Sequence, residues 1–176
     1  MPFCVPSTKV PSDSPEAPCP FCHPEYPDQA ARVAKLPEAE LNPADLVAFH
    51  DLHPAGKPHI LVCPRAHVRN IQALRPGNLE DQLLLASMIQ YGKALLAQHL
   101  SDGQEGNIRL GFHRPPFASV PHLHLHCIAQ VPTKGWRRFK YPGKVKTTPW
   151  WMEAHELQRR LGYPSVPSEG DQAKSP

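Results

Sequence analysis

The chain has 176 residues, enough for one domain with tails and a real core, and a net charge of +3 from nineteen Lys and Arg against sixteen Asp and Glu. That balance is too mild to mark a nucleic-acid binder or a membrane-surface protein by itself, and no apolar run approaches a membrane span. Twenty-three prolines require long loops and tails, while five cysteines and no basic-then-apolar leader argue for a reducing compartment, cytoplasmic or nuclear.

Residues 1–17 are rich in proline and serine with little to bury, and residues 164–176 read the same way, so both are expected to be disordered tails around a folded part at 18–163. Cys19-Pro20-Phe21-Cys22 opens the folded part. Cysteines two residues apart suit a tight knuckle offering two thiolates to a metal, and equally a redox pair or chance. A short helix is expected around Gln29 to Leu36, cut by Pro37.

Asp45 to Leu52 and Pro58 to Cys63 are strand-like and bracket a turn region with Pro54 and Gly56, which predicts a hairpin. Pro64 to His67 then leaves the sheet. Asn78 to Leu100 has the strongest helical pattern: Asn78 caps it and Glu80 and Asp81 occupy its first turn. Leu84, Met88, Tyr91 and Leu95 form a core-facing stripe beside Leu85, Ile89 and Leu96. Asn107 to His113 gives another strand, and a loop through Ser119 leads to the next. Loops entering such strands are where hydroxyls and backbone N–H groups meet anions, so Ser119 is a candidate donor.

Residues 122 to 128 read His-Leu-His-Leu-His-Cys-Ile. On a strand, alternation puts His122, His124 and His126 on one face and Leu123, Leu125 and Cys127 on the other. The histidine row is expected to face outward. Such a row makes a metal cluster or a nucleophile and acid/base set, or it is an incidental solvated face. After it, residues 134–146 carry six Lys and Arg among aromatics. That run could bind a polyanion by charge and stacking, and its plainer reading is a solvated loop whose aromatics dock on the domain. Thr148 and Pro149 start a last helix, with Trp150 and Trp151 at its beginning and Gly162 beyond its end.

The sequence His122 to Ile128 resembles the signature of the histidine triad (HIT) family of nucleotide hydrolases and transferases. Phe49-His50-Asp51-Leu52, Pro58-His59-Ile60-Leu61-Val62 and Pro64-Arg65-Ala66-His67 follow the family's hairpin in order, so the resemblance covers roughly residues 19 to 130. Gly111 to Phe117 and the Trp-containing extension resemble the third branch of the Hint proteins, which are adenosine phosphoramidases. The resemblance implies an α+β fold: an antiparallel sheet of about five strands, one long helix packed on it and a C-terminal helical extension, often paired into a homodimer.

The resemblance also implies roles. His124 would be the nucleophile that attacks the α-phosphorus of a purine nucleoside 5′-phosphoramidate. His126 and Ser119 would hydrogen-bond phosphoryl oxygens and leaving group, and His59 would complete the cluster. Asp51 matches the ribose-binding carboxylate, with His50, Leu52 and His122 among the nucleotide contacts. Some relatives hold a structural zinc, for which Cys19, Cys22, His67 and His122 supply a full set; no organic cofactor is implied. Two positions depart from the pattern of the best-known Hint enzymes: Gly111 replaces an asparagine and His53 a serine. Other readings are an aprataxin-like hydrolase of adenylated DNA ends, favoured by the basic run, and a zinc-stabilised nucleotide- or protein-binding module with little turnover.

Overall fold

A computed structural model describes residues 19–22, 45–100, 108–130, 136–142 and 148–162. The tails at 1–17 and 164–176, the helix expected at Gln29 to Leu36, and parts of the basic run lie outside the described residues.

Five antiparallel strands form one sheet in the order β1-β2-β4-β3-β5. They are β1 (Leu46–His50), β2 (His59–Pro64), β3 (Ile108–His113), β4 (Leu125–Ala129) and β5 (Trp151–Glu153). The expected hairpin is β1 with β2, in the register Leu46↔Pro64 through His50↔Ile60. Strand β4 lies at the centre, pairing with β2 through Leu61↔His126 and with β3 through Gly111↔His126.

The long helix α1 runs Leu79–Ala97, and the Asn78 side chain accepts a hydrogen bond from the Asp81 N–H, as its cap pattern predicts. Its stripe of Leu85, Met88, Ile89, Leu95 and Leu96 is buried against one face of the sheet: Ile60 and Val62 from β2, Leu110 and Phe112 from β3, and Leu125 and Cys127 from β4. A side chain at Gly92 would come within 2.4 Å of Cys127 Sγ, so the missing Cβ lets helix and central strand approach. No helix among the described residues is long and apolar enough to cross a membrane.

Alternation puts the other residues of the same strands on the second face, and two segments cover it. Phe21, in the 3-10 turn Pro20–Cys22, packs on Val47, Phe49, Leu61 and Cys63. Tyr141 and Trp151 pack with Ala55 and Ile128. The histidines expected to face outward are therefore buried, with exposures of 1% for His122, 7% for His124 and 4% for His126. Pairing begins only at Leu125, so His122 and His124 lie in the lead-in to the strand, tied to the fold by the Leu123 N–H donating to the Val68 carbonyl. The alternation still holds, since Leu123, Leu125 and Cys127 join the core under α1.

The C-terminal segment corrects a second expectation. Thr148 does not start a helix. Its hydroxyl accepts from the Trp151 N–H and its own N–H donates to the Trp151 carbonyl, closing a turn into β5. β5 takes the free edge of β3, in the register Gly111↔Glu153 to His113↔Trp151. The helix itself, α3, covers Ala154–Arg160, preceded by the short α2 at Trp136–Lys140. A glycine at 111 is required here, because a Cβ would stand 2.4 Å from the Trp151 indole and 2.6 Å from the Met152 carbonyl oxygen. Gly111→Ala should accordingly cost about 1–3 kcal/mol in urea denaturation, the usual range for overpacking. An unchanged midpoint would show that the indole does not rest against β3.

Candidate functional site

The second face divides into two clusters that meet at His124. At the first, the knuckle brings Cys19 and Cys22 to His67 and His122. Cys22 Sγ lies 3.2 Å from His67 Nδ1 and 3.4 Å from His122 Nδ1, and Cys19 Sγ lies 3.5 Å from His122 Nδ1. All four ligand atoms fall within 4.8 Å of one another. Sulfur and nitrogen on adjacent corners of a tetrahedral site are about 3.5 Å apart, given metal–sulfur and metal–nitrogen bonds of about 2.3 and 2.0 Å. The spacing and the two-thiol, two-imidazole chemistry therefore suit one metal ion. The tautomer suits it too: His122 Nε2–H donates to the Pro64 carbonyl at 2.8 Å, leaving the Nδ1 lone pair toward the thiols. The described cysteines are free rather than disulfide-bonded.

The second cluster gathers His59, His126 and Asp51 around the nucleophile candidate. His124 Nδ1–H donates to the His122 carbonyl at 2.6 Å, so its proton is held on Nδ1 and its lone pair is on Nε2. The Ala55 N–H donates to His59 Nδ1 at 3.1 Å, which puts the His59 proton on Nε2. That Nε2–H donates to His126 Nδ1 at 2.8 Å, and so His126 carries its own proton on Nε2. The result is a relay from a backbone amide through two rings to a buried N–H. Asp51 Oδ2 lies 3.4 Å from His59 Nε2 and 3.9 Å from His126 Nδ1, while its Oδ1 accepts from the His53 N–H at 2.7 Å.

Not every expected residue joins. His50 ends β1 exposed, and Leu52 is 76% exposed. Ser119 is exposed on its loop and bonds none of the histidines among the described residues. Conversely, three residues here were not picked out as site residues from sequence: His113, Tyr141 and Trp151. The His113 ring packs on His126 at 4.8 Å, on Tyr141 at 5.2 Å and on Trp151 at 5.2 Å between centroids. Alternation back from the triad through the β3–β4 register would have found His113. Nothing local distinguishes Tyr141 from the other aromatics of the basic run.

Burial sets the protonation of the whole row. It pushes the pKa of His59, His113 and His122 down to about 4. It also lowers His124, and it takes His126 well below the usual value, reinforced there by neighbouring histidines. At His59 burial outweighs the Asp51 carboxylate, which acts in the opposite direction. The rings are thus neutral at pH 7. Between about pH 6.5, the unfolded value, and pH 4 the unfolded chain binds protons that the fold refuses. The stability they contribute is full above pH 6.5 and is lost as pH falls to 4, by up to about 1.4 kcal/mol per pH unit for each histidine. Urea midpoints of the chelator-treated protein should therefore drop steeply over that window. His113→Asn should flatten part of the slope, and a pH-independent midpoint would contradict the neutral, buried row.

Comparison with known proteins supports what this geometry suggests. A family model described as "Scavenger mRNA decapping enzyme C-term binding" matches residues 18–140. The chain is 40% identical over 96 residues to the bifunctional adenosine 5′-phosphosulfate phosphorylase/adenylylsulfatase HINT4 of Arabidopsis thaliana, a match covering 54% of this chain and 63% of that one. It is 38% identical over 118 residues to the adenosine 5′-monophosphoramidase HINT3 of Xenopus tropicalis, covering 66% and 72%. So the chain spans somewhat under two thirds of the first relative's length and somewhat more of the second's. A histidine triad protein from Clostridium difficile shares the fold at a TM-score of 0.51 and 19% identity, over 67% of this chain and 95% of that one. Three imidazoles on one face, inside a family match that runs from the knuckle through β1 to β4 and on to α2, place this chain in the histidine triad superfamily.

Proposed function

We propose that the chain is a nucleotide hydrolase that cleaves the P–N bond of adenosine or related purine nucleoside 5′-phosphoramidates through a nucleotidyl-histidine intermediate on His124. The observation that carries this reading is the locked tautomer of His124: with Nδ1–H bound to the His122 carbonyl, a neutral imidazole keeps a lone pair on Nε2. The relatives named above support the substrate class, since both names specify adenosine 5′-phosphate chemistry.

In the first half-reaction His124 Nε2 attacks phosphorus, and the electron pair of the old P–N bond leaves with the amine, which takes a proton from solvent. Water then attacks the intermediate, releases the nucleoside monophosphate and returns that proton. His126 Nε2–H, backed by the His59 relay, donates to a phosphoryl oxygen where negative charge gathers. Asp51 accepts from the ribose hydroxyls, His50 and Leu52 border the base, and Ser119 hydrogen-bonds the leaving group from its loop. Quenching the protein with an AMP–amine conjugate should trap one adenylyl group on His124, detected by mass spectrometry. His124→Ala should lose about a thousand-fold or more in kcat/KM. Full turnover in that variant would refute the mechanism.

The four-ligand cluster is proposed to hold a structural zinc through Cys19 Sγ, Cys22 Sγ, His67 Nδ1 and His122 Nδ1. Two thiolates and two imidazoles fill a tetrahedral ion, so it would staple the knuckle and take no part in the reaction. Purified protein should contain about one zinc, and both chelation and Cys22→Ser should lower the melting temperature. A metal-free preparation with the same melting temperature would argue for plain buried thiols.

A second reading, hydrolysis of AMP from DNA ends, is favoured by one surface. Trp136 and Phe139 of α2 are exposed and stack in series on Trp150, at 5.3 and 4.4 Å between centroids, beside Lys140. Stacked aromatics with adjacent cations suit single-stranded bases. This reading predicts salt-sensitive binding of adenylated nicked duplex that weakens in Trp136→Ala; binding unaffected by either change would exclude it.

A further inference from the structure

His126 Nε2 is buried without a hydrogen-bond partner among the described residues. The relay from Ala55 through His59 leaves a proton there, so it is a donor without an acceptor. The ring that carries it is neutral, as are His59 and His113 beside it. A nucleoside 5′-phosphate brings one or two negative charges to such a site, and neutral donors offset them only in part. Asp51, 3.4 Å from His59 Nε2, adds a further negative charge. The site therefore calls for a cation.

Lys140 meets that need. It ends α2, and both of its chain neighbours are anchored. The Phe139 carbonyl accepts from Trp150 Nε1–H at 3.2 Å, and the Phe139 ring stacks on Trp150 at 4.4 Å between centroids. Tyr141 is buried and packs on His59, His113 and His126, at 5.4, 5.2 and 5.5 Å between centroids. Lys140 Nζ stands 5.4 Å from the centroid of the same Tyr141 ring, within cation–π range. One aromatic ring thus touches both the ammonium and the three histidines. The Lys140 charge bears on those three rings, disfavouring their protonation. Lys140 has no ion pair among the described residues, so no carboxylate there neutralises it.

We infer that Lys140 supplies the positive charge of the phosphate site, attracting the anionic 5′-phosphoryl group that His126 Nε2–H binds, so that the site ranks nucleotides by the negative charge they carry there. The inference rests on the nucleotide-hydrolase reading. Lys140 acts through space and needs no direct contact with the ligand. A potential that disfavours a proton on His126 favours an anion against the same ring. Adenosine brings no charge to it, whereas AMP brings nearly two once its second phosphate proton is lost. Because the lysine is exposed, dissolved salt screens its attraction.

Calorimetry on the full-length protein at about pH 7.5, where AMP is a dianion, should show AMP binding more tightly than adenosine. Lys140→Met keeps an apolar stem on the Tyr141 ring and removes the charge. It should shrink the AMP advantage about fivefold, through AMP alone, while the affinity for adenosine stays within about twofold. Lys140→Arg should keep the advantage within about twofold of the wild type. Added salt should narrow the wild-type advantage more than that of Lys140→Met. An undiminished advantage in Lys140→Met, an equal loss of AMP and adenosine binding in that variant, or equal affinity of the wild type for both compounds overturns the assignment of Lys140 alone. A wild type that binds neither compound overturns the nucleotide reading itself.

Discussion

An imidazole can be buried in a folded protein when its N–H has an acceptor and its lone pair has a use, and the second face of this sheet is arranged around that constraint. Backbone groups fix the tautomers. The Pro64, His122 and Trp150 carbonyls take the protons of His122, His124 and His113, and the Ala55 N–H takes the His59 lone pair. Each backbone contact decides which ring nitrogen is left for chemistry. In water the two tautomers of each ring would interconvert freely; here every ring in the row has one assignment, and the row as a whole is neutral.

Such a face cannot bury itself, because the strands present it in one direction and α1 occupies the other. The cover comes from two places far apart in the chain. Phe21 lies edge-on to both His122 and His124, at 5.7 and 5.5 Å between centroids. Tyr141 and Trp151 close the far end, where Trp151 has no exposed surface at all. The desolvation that keeps the histidines neutral is thus supplied by residues that carry no chemistry. Gly111 governs the C-terminal cover, since only the absence of a side chain there admits the indole.

How much of this could be read beforehand follows from the range of each signal. The helix α1 and the β1–β2 hairpin are local: a cap, a 3.6-residue stripe and an alternating pair of segments determine them, and both formed where their patterns placed them. The two faces of the triad segment were legible for the same reason. Its burial was not, because it depends on Phe21 about a hundred positions upstream and on Trp151 about twenty-five downstream. Thr148 misled because the same hydroxyl that can cap a helix can also close a turn. The open edge of β3 decided the outcome by pairing with Trp151 to Glu153, a tertiary effect that local propensity does not contain. Residue 113 is the intermediate case: its alternation was visible, but its packing on the His126 ring of β4 was not.

The remaining link joins the two clusters. His122 contributes its side chain to the thiol cluster and its main-chain carbonyl to His124, so one residue belongs to the group that could hold a metal and also fixes the tautomer of the nucleophile candidate. The ring of His122 is pinned from opposite sides, by the Pro64 carbonyl at Nε2 and by the cysteines at Nδ1. His122 precedes the first paired residue of β4, so no ladder hydrogen bond holds that carbonyl in place. Its position is set by the ring contacts and by the neighbouring Leu123 N–H on Val68. The knuckle is thereby more than a distant staple. By fixing His122 it fixes the acceptor that keeps the proton on His124 Nδ1, and the order of the thiol end becomes a condition for the His124 tautomer at the other.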